Sequence, residues 1–241
     1  MSNDEMRLEF KDVNADKLIA VFQPIGGIKT ADAVTVHMDS DIVSVSVIDQ
    51  AKVSMIKTVW MTDTQLPGER DVVIDYRHVM QVLNLFKHQD VDVTISDGGI
   101  RIKGDHGWRK IPVLDPDLKT ELRFPEFDLP TQVITTTTDL KESFQYLNDI
   151  TDHMTFRVQN GNVTIDSNND VIGGEFTLPQ TATGDDVARA CYPWDYITGI
   201  VKCLIDGDLI IKLATDYPMV MITTHDDIQT TVMVAPRIEE E

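Results

Sequence analysis

The sequence predicts an α+β protein of two similar domains, each a pair of strand-helix-three-strand units with the helices on one face of antiparallel sheets. Three observations lead there. Four stretches carry apolar residues at helical spacing, and each is preceded by one strand-like run and followed by three. A proline-rich apolar segment near the middle divides the four units two and two.

The helical stripes are Ala15, Leu18, Ile19, Phe22; Tyr76, Val79, Met80, Leu83; Leu140, Ser143, Phe144, Leu147; and Ile197, Ile200, Val201, Leu204. Each set falls at i, i+3, i+4 and i+7, which lines one side of a helix. The first stripe is followed by strand-like runs at Val34–Met38, Ile42–Ile48 and Val53–Met61, the second by Val91–Ser96, Ile100–Lys103 and Trp108–Leu114. Behind the third stand Met154–Val158, Val163–Asp166 and Val171–Leu178, and behind the fourth Leu209–Ala214, Met219–Thr224 and Ile228–Val234. Asn160-Gly161 is the strongest short hairpin signal among the turns. Arg7–Phe10, Val72–Asp75, Gln132–Thr136 and Val187–Cys191 supply the strand before each helix.

Between Asp115 and Pro130 the pattern fails, because Pro116, Pro125 and Pro130 forbid a continuous helix or central strand. This segment reads as a connector (residues 115–130) between domains 1–114 and 131–241, and its Leu and Phe residues need a surface to lie on. So many short strands leave sheet edges to be paired, and head-to-tail pairing of subunits closes a ring if the rotation allows.

Lys+Arg 21 against Asp+Glu 40 gives a net charge of −19, with 30 Asp to 10 Glu. The whole-molecule field should repel nucleic acid and anionic membrane. Asp excess over few lysines resembles a salt-adapted surface, since about 1 M salt shrinks the Debye length to about 3 Å. No apolar run is long enough to cross a bilayer, and the acidic start Met1-Ser2-Asn3-Asp4 does not look like a leader. Cys191 and Cys203 are too few for a disulfide framework. A cytoplasmic protein is expected.

Catalytic chemistry finds little support. Asp39-x-Asp41, Asp90-x-Asp92, Asp115-x-Asp117 and Asp206-x-Asp208 resemble metal-holding pairs, but they fall at turns, where Asp is favoured anyway. The histidines have no HExxH spacing, and no Walker loop, G-x-S-x-G or dinucleotide-binding pattern occurs. We therefore expect no enzyme, no metal and no cofactor.

The ending Val234-Ala235-Pro236-Arg237-Ile238-Glu239-Glu240-Glu241 is similar to the carboxyl terminus of the archaeal and eukaryotic DNA sliding clamps, the proliferating cell nuclear antigen family. Ile48-Asp49-Gln50-Ala51-Lys52-Val53-Ser54-Met55 resembles that family's Met-Asp-x-x-x-Val-x-Leu segment. Leu114-Asp115-Pro116-Asp117, with Phe124-Pro125-Glu126-Phe127 after it, looks like the connector of the archaeal form, and Thr215-Asp216-Tyr217-Pro218-Met219-Val220 resembles a further strand turn. With its Asp-rich acidity the chain is most like haloarchaeal forms, from an archaeon or its virus.

The resemblance implies the DNA clamp fold: three subunits in a ring, twelve helices lining a hole around duplex DNA, and sheets outside. Such a ring does no chemistry. It acts as a processivity factor, tethering polymerase, nuclease and ligase through short peptide motifs, and a clamp loader opens it. Carried over by position, the motif pocket would be Ile48, Val53 and Met55, with Leu122, Phe124 and Leu129 from the connector, completed by Pro218, Met233, Ala235 and Pro236, and with Lys52 at the rim. DNA contacts would come from Lys17, Arg77 and His78, which point off their helices' apolar sides, and by resemblance from Lys141 and Lys202. Lys87 follows the core side instead.

Charges on the four helical stretches balance, with Lys17, Arg77, Lys87, Lys141 and Lys202 against Asp16, Asp139, Glu142, Asp149 and Asp195. Gln81, Asn84 and Gln145 are neutral where the family is often basic. Few phosphate contacts mean weak non-specific affinity and a shallow salt dependence. Ring closure would use the edge strands Trp108–Leu114 and Gly173–Leu178, with Ile111, Val113, Phe176 and Leu178 as apolar contacts and Arg109 or Lys110 meeting Glu175. Rival readings are a subunit of a hetero-trimeric checkpoint-type clamp, an acidic DNA mimic, and a metal-dependent phosphoesterase built on the Asp pairs.

Overall fold

The computed structural model describes residues 8–64, 68–96, 98–119, 122–148, 150–185 and 187–237. Arg7, Asp149 and the terminal Ile238-Glu239-Glu240-Glu241 lie outside the described residues.

Four units follow one another. The first is β1 (Leu8–Asn14), α1 (Ala15–Phe22), β2 (Ala33–Asp39), β3 (Ile42–Ile48) and β4 (Ser54–Met61). The second is β5 (Arg70–Asp75), α2 (Tyr76–Leu85), β6 (Asp90–Ser96), β7 (Gly99–Gly104) and β8 (Gly107–Ile111). The third is β9 (Thr131–Thr136), α3 (Thr137–Tyr146), β10 (His153–Gln159), β11 (Asn162–Asn168) and β12 (Gly173–Thr183). The fourth is β13 (Val187–Pro193), α4 (Trp194–Cys203), β14 (Asp208–Leu213), β15 (Met219–His225) and β16 (Ile228–Val234).

Each of the first three helices starts where a polar side chain at the end of its strand accepts from an otherwise orphaned backbone N–H. Asn14 accepts from Asp16 N at 2.8 Å, Asp75 from His78 N at 2.9 Å and Thr136 from Asp139 N at 3.0 Å. Pro193 holds the corresponding place before α4, with no side-chain cap. The stripes then bury as their spacing requires. Leu140, Ser143, Phe144 and Leu147 are in the core, as are Ile197, Ile200, Val201 and Leu204, while Leu18, Ile19, Tyr76 and Met80 pack half-buried against it.

All strand pairing among the described residues is antiparallel and forms two sheets. The smaller has the order β1-β6-β7-β8, and the larger runs β13-β10-β11-β12-β9-β14-β15-β16-β4-β3-β2-β5 across both halves of the chain. Its central seam is β4 against β16, paired from Trp60↔Ile228 to Ser54↔Val234. On the helix-bearing side, α1 lies against α2 and α3 against α4, and α4 packs on a 3-10 turn at Gln23–Gly27. That last approach needs glycine. A Cβ on Gly27 would stand 2.6 Å from Ile200 Cα, so the turn and α4 meet backbone to backbone.

Two expected strands differ. Trp108–Leu114 ends at Ile111, because Pro112 has no N–H for the ladder. Val113 turns back to bridge Ile74, and Leu114 N donates to Val73 O at 2.7 Å. Val171–Leu178 starts later and runs on to Thr183, through a polar stretch whose end pairs with β9 at Ala182↔Val133 and Thr183↔Gln132. The hairpin signal at Asn160-Gly161 joins β10 to β11 with φ of 51° and 79°, the left-handed values of a tight primed turn.

Candidate functional site

Three surfaces carry the candidate residues: the sheet face at the seam between β4 and β16, the helix-bearing side, and the open sides of β8 and β12. The first lies on the sheet face away from the helices. Ile56, Thr58 and Trp60 of β4 point to the helices and are buried, so the alternating Met55, Lys57 and Val59 take the opposite face. Met55 is paired in register with Ile48 on β3 and with Met233 on β16, which places these three side chains in one cross-strand row.

The turn beyond β3 is shaped by Asp49, which is buried and accepts from Ser54 N at 2.6 Å and Ala51 N at 2.9 Å. It lets Lys52 adopt a φ of 58° and stand exposed. Val53 follows, and its carbonyl accepts from Ala235 N at 2.7 Å, which carries the tail past β16 alongside the turn. Ile48, Val53, Pro218, Ala235 and Pro236 are half-buried, whereas Met55 and Met233 are buried.

The connector reaches this face in two places. Phe127 meets Tyr217 edge to face at 6.2 Å, and Leu122 lies over a groove formed with β2, β3 and β4. Leu122, Phe124 and Leu129 are half-buried. The predicted pocket members from β3, β4 and β16 are thus contiguous, with connector residues beside them.

On the helix-bearing side, most of the expected DNA contacts already face carboxylates. Lys17 Nζ lies 2.6 Å from Asp227 Oδ2 and 5.7 Å from the Trp60 ring centroid. Lys141 Nζ is 2.6 Å from Asp206 and donates to Leu204 O at 3.2 Å. Arg77 stands 3.1 Å from Asp32, and His78 3.4 Å from its cap residue Asp75. Lys202 is exposed and makes no ion pair among the described residues. Lys87, expected to follow the core, is exposed just beyond the end of α2. The partners Asp32, Asp206 and Asp227 are distant in sequence, so no helical spacing could have revealed them.

The third surface consists of two of the open strand sides among the described residues, that of β8 and that of the first part of β12. β8 pairs only with β7, and residues 173–181 of β12 pair only with β11. Exposed on the β8 side are Trp108, with the Arg101 guanidinium 4.6 Å above its ring, Arg109, Lys110, and Leu85 at the end of α2. On the β12 side stand Glu175, Ile172 and Tyr146 at the end of α3, whose ring lies 5.8 Å from half-buried Phe176.

Three expected edge contacts are corrected. Ile111 and Leu178 are buried in the core and support their strands from within, and Val113 is bridged to β5 instead of lying on the open edge. Sequence reasoning missed Leu85, Tyr146 and Ile172, although Leu85 and Tyr146 occupy the same last position of their helices.

The Asp pairs serve local structure. Asp115 accepts from Asp117 N at 2.9 Å in a 3-10 turn, and Asp206 is the partner of Lys141. Among the described residues no three His, Cys, Asp or Glu side chains gather as ion ligands. Cys191 is buried, and burial raises the pKa of the Cys203 thiol, so neither is set up as a nucleophile.

No protein-family model matches the chain. It is 24% identical over 226 residues to the DNA polymerase sliding clamp of Methanocella arvoryzae, covering 87% of this chain and 91% of that one. With the DNA polymerase sliding clamp of Thermoplasma volcanium it shares 23% over 220 residues, covering 84% and 89%. Among solved structures, the A. fulgidus PCNA bound to the C-terminal region of FEN-1 superposes with a TM-score of 0.86 at 20% identity, covering 98% of this chain and 99% of that one. PCNA from Thermococcus kodakaraensis gives 0.82 at 17%, covering 96% and 99%, and a chain of the PCNA2-PCNA3 complex of Sulfolobus tokodaii gives 0.79 at 18%, covering 97% and 100%. The fold is therefore that of the DNA sliding clamps. Over most of its length the chain is similar in sequence to archaeal DNA polymerase sliding clamps.

Proposed function

We propose that this chain is a DNA polymerase processivity factor: a ring-shaped sliding clamp that encircles duplex DNA and tethers replication and repair enzymes. Likeness to sliding clamps over nearly the whole chain, together with the open sides of β8 and of the first part of β12, carries this reading. It has two domains, 1–114 and 131–241, joined by the connector 115–130. It has no catalytic role, and it works in the cytoplasm on the DNA.

Closure as a homotrimer is supported by a relationship inside the chain. β16 ends the fourth unit and pairs with β4, which ends the first. β8 ends the second unit and β12 the third, and both have an open side. Pairing β8 of one copy with β12 of the next repeats the internal seam between subunits. Exposed Arg109 and Lys110 on one edge and Glu175 on the other complement each other in sign, and both edges present aromatic surface, Trp108 on one and the Tyr146–Phe176 pair on the other. Both edges belong to the same chain, so it can pair with itself. The hetero-ring remains the second reading, since one structural neighbour comes from a complex of two different clamp chains.

Encirclement is tested by threading the protein onto linear duplex and then blocking both ends with streptavidin. A clamp stays on end-blocked DNA through gel filtration at 0.5 M salt and is released when the duplex is cut. Release that is indifferent to the blocks would contradict it.

A further inference from the structure

Beside the apolar row, the same sheet face carries a second feature that differs from it in chemistry. A groove of about 340 Å³ crosses β5, β2, β3 and β4 beneath the start of the connector. One of its walls is fixed by Asp71, which lies 2.7 Å from His37 Nδ1 and also holds Lys119 of the connector. Partial burial works to raise the Asp71 pKa, but the hydrogen bonds from Lys119 and His37 outweigh it and hold the carboxyl below its usual value. That carboxylate and its two partners satisfy one another.

Lys57 and Arg123 in the lining are different. Neither has a carboxylate partner among the described residues, in a chain with nearly twice as many acids as bases. Glu69 is the other carboxylate of the lining, so two unpaired cations stand against one acid. Ser44 and Ser46 add hydroxyl donors along β3.

Register fixes how the groove meets the apolar row. Lys57 is paired with Ser46, one alternation along from the Met55↔Ile48 pair, which is about 7 Å of strand. Leu122, expected in the pocket, and Arg123 in the groove are adjacent in the connector. A segment whose apolar side chains sit on Ile48, Met55 and Met233 therefore extends directly over Lys57 and Arg123.

We propose that this groove selects partner segments with an acidic residue, Asp or Glu, next to their apolar anchors. The inference rests on the reading of the apolar row as the partner-motif site. Charge complementarity supplies the occupant: two unpaired cations with hydroxyl donors between them suit a carboxylate. The field of a −19 chain repels acidic peptides as a whole, so a preference for acid can only come from a local cationic site.

The test is fluorescence anisotropy with the full chain and two labelled peptides. Both carry the same three apolar anchors, all Leu, one for each of Ile48, Met55 and Met233, flanked on both sides by Asp in one and by Asn in the other. At 0.1 M salt the Asp peptide should bind about five-fold tighter, and the preference should shrink toward one at 1 M salt. In a Lys57→Gln, Arg123→Gln double variant the ratio should fall to about one, and in a Lys57→Glu, Arg123→Glu variant the Asn peptide should win. Equal binding of the two peptides to the native chain, or a preference that survives the double variant, overturns the proposal while leaving the apolar site standing. If neither peptide binds, the partner-site reading falls and this inference falls with it.

Discussion

Lys17 Nζ lies 2.6 Å from Asp227 Oδ2, and the same carboxylate oxygen accepts from Trp60 Nε1 at 3.0 Å. One residue comes from α1 and one from β4, while Asp227 sits in the turn before β16, so the triad ties the two halves of the chain at their shared seam. A cation expected to reach for phosphate is instead part of the joint. In a double-mutant cycle of Lys17→Met and Asp227→Asn, followed by urea unfolding, the pair should show a coupling of about 1 kcal/mol. Additive single effects would remove the tie.

The same pair sets a pH dependence. Partial burial pushes the Asp227 pKa up, but hydrogen bonds from Lys17 and Trp60 prevail and hold it below the usual carboxylate value. A carboxyl depressed in the folded state contributes its full stability above its unfolded pKa of about 3.9 and loses it as pH falls through the folded value. The stability difference between the native chain and Asp227→Asn should be constant from pH 7 to about pH 5. It should begin to shrink near pH 4 and vanish below the folded pKa. A difference that persists at pH 2 would mean that the charge is not what matters.

Neutralised cations on the helix side predict weak duplex retention that engineering can strengthen. Replacing Asp32 and Asp206 with Asn frees Arg77 and Lys141 from their partners. Affinity for duplex measured between 50 mM and 200 mM salt should rise, and its log-log salt slope should steepen by about 0.9 for each cation that finds a phosphate. An unchanged slope would place these residues away from DNA.

At the subunit edges, Lys110→Glu and Glu175→Lys should each lower assembly affinity, by about 1 kcal/mol, and the two together should restore it. Trp108→Ala should cost more, about 2 kcal/mol, because a large aromatic surface is lost at the joint. Sedimentation equilibrium measures all four. A double reversal as weak as either single one would show that the residues do not face each other.

In the partner site, Phe124→Ala should weaken an apolar-anchored peptide at least tenfold by anisotropy, with the oligomer unchanged. Unaltered binding would exclude this part of the connector from the site.

What the sequence disclosed follows from which forces are local. Helical stripes such as Ile197, Ile200, Val201 and Leu204 are legible because a 3.6-residue period and a buried side are one fact, and Asn160-Gly161 because a tight primed turn needs left-handed backbone. Two strand ends were missed where polarity or proline decided them: the Gln180–Thr183 stretch joins β12 through backbone pairing and polar side-chain bonds from Gln180 to Thr135 and Asp139, with no apolar alternation to mark it, and Pro112 cuts β8 short. The charged network was illegible for another reason. Asp227, Asp206 and Asp32 reach their cations only after strands from distant units pair, and the groove at Lys57 and Arg123 exists only once the connector lies across β4.

The most direct test of the account is size-exclusion chromatography with light scattering, run at low and at molar salt. A self-closing ring of 27.1 kDa chains should elute as one species of about 81 kDa, sharpest at molar salt, where carboxylate repulsion is screened. A monomer at every salt concentration would contradict self-pairing of β8 with β12 and leave only a ring completed by other chains.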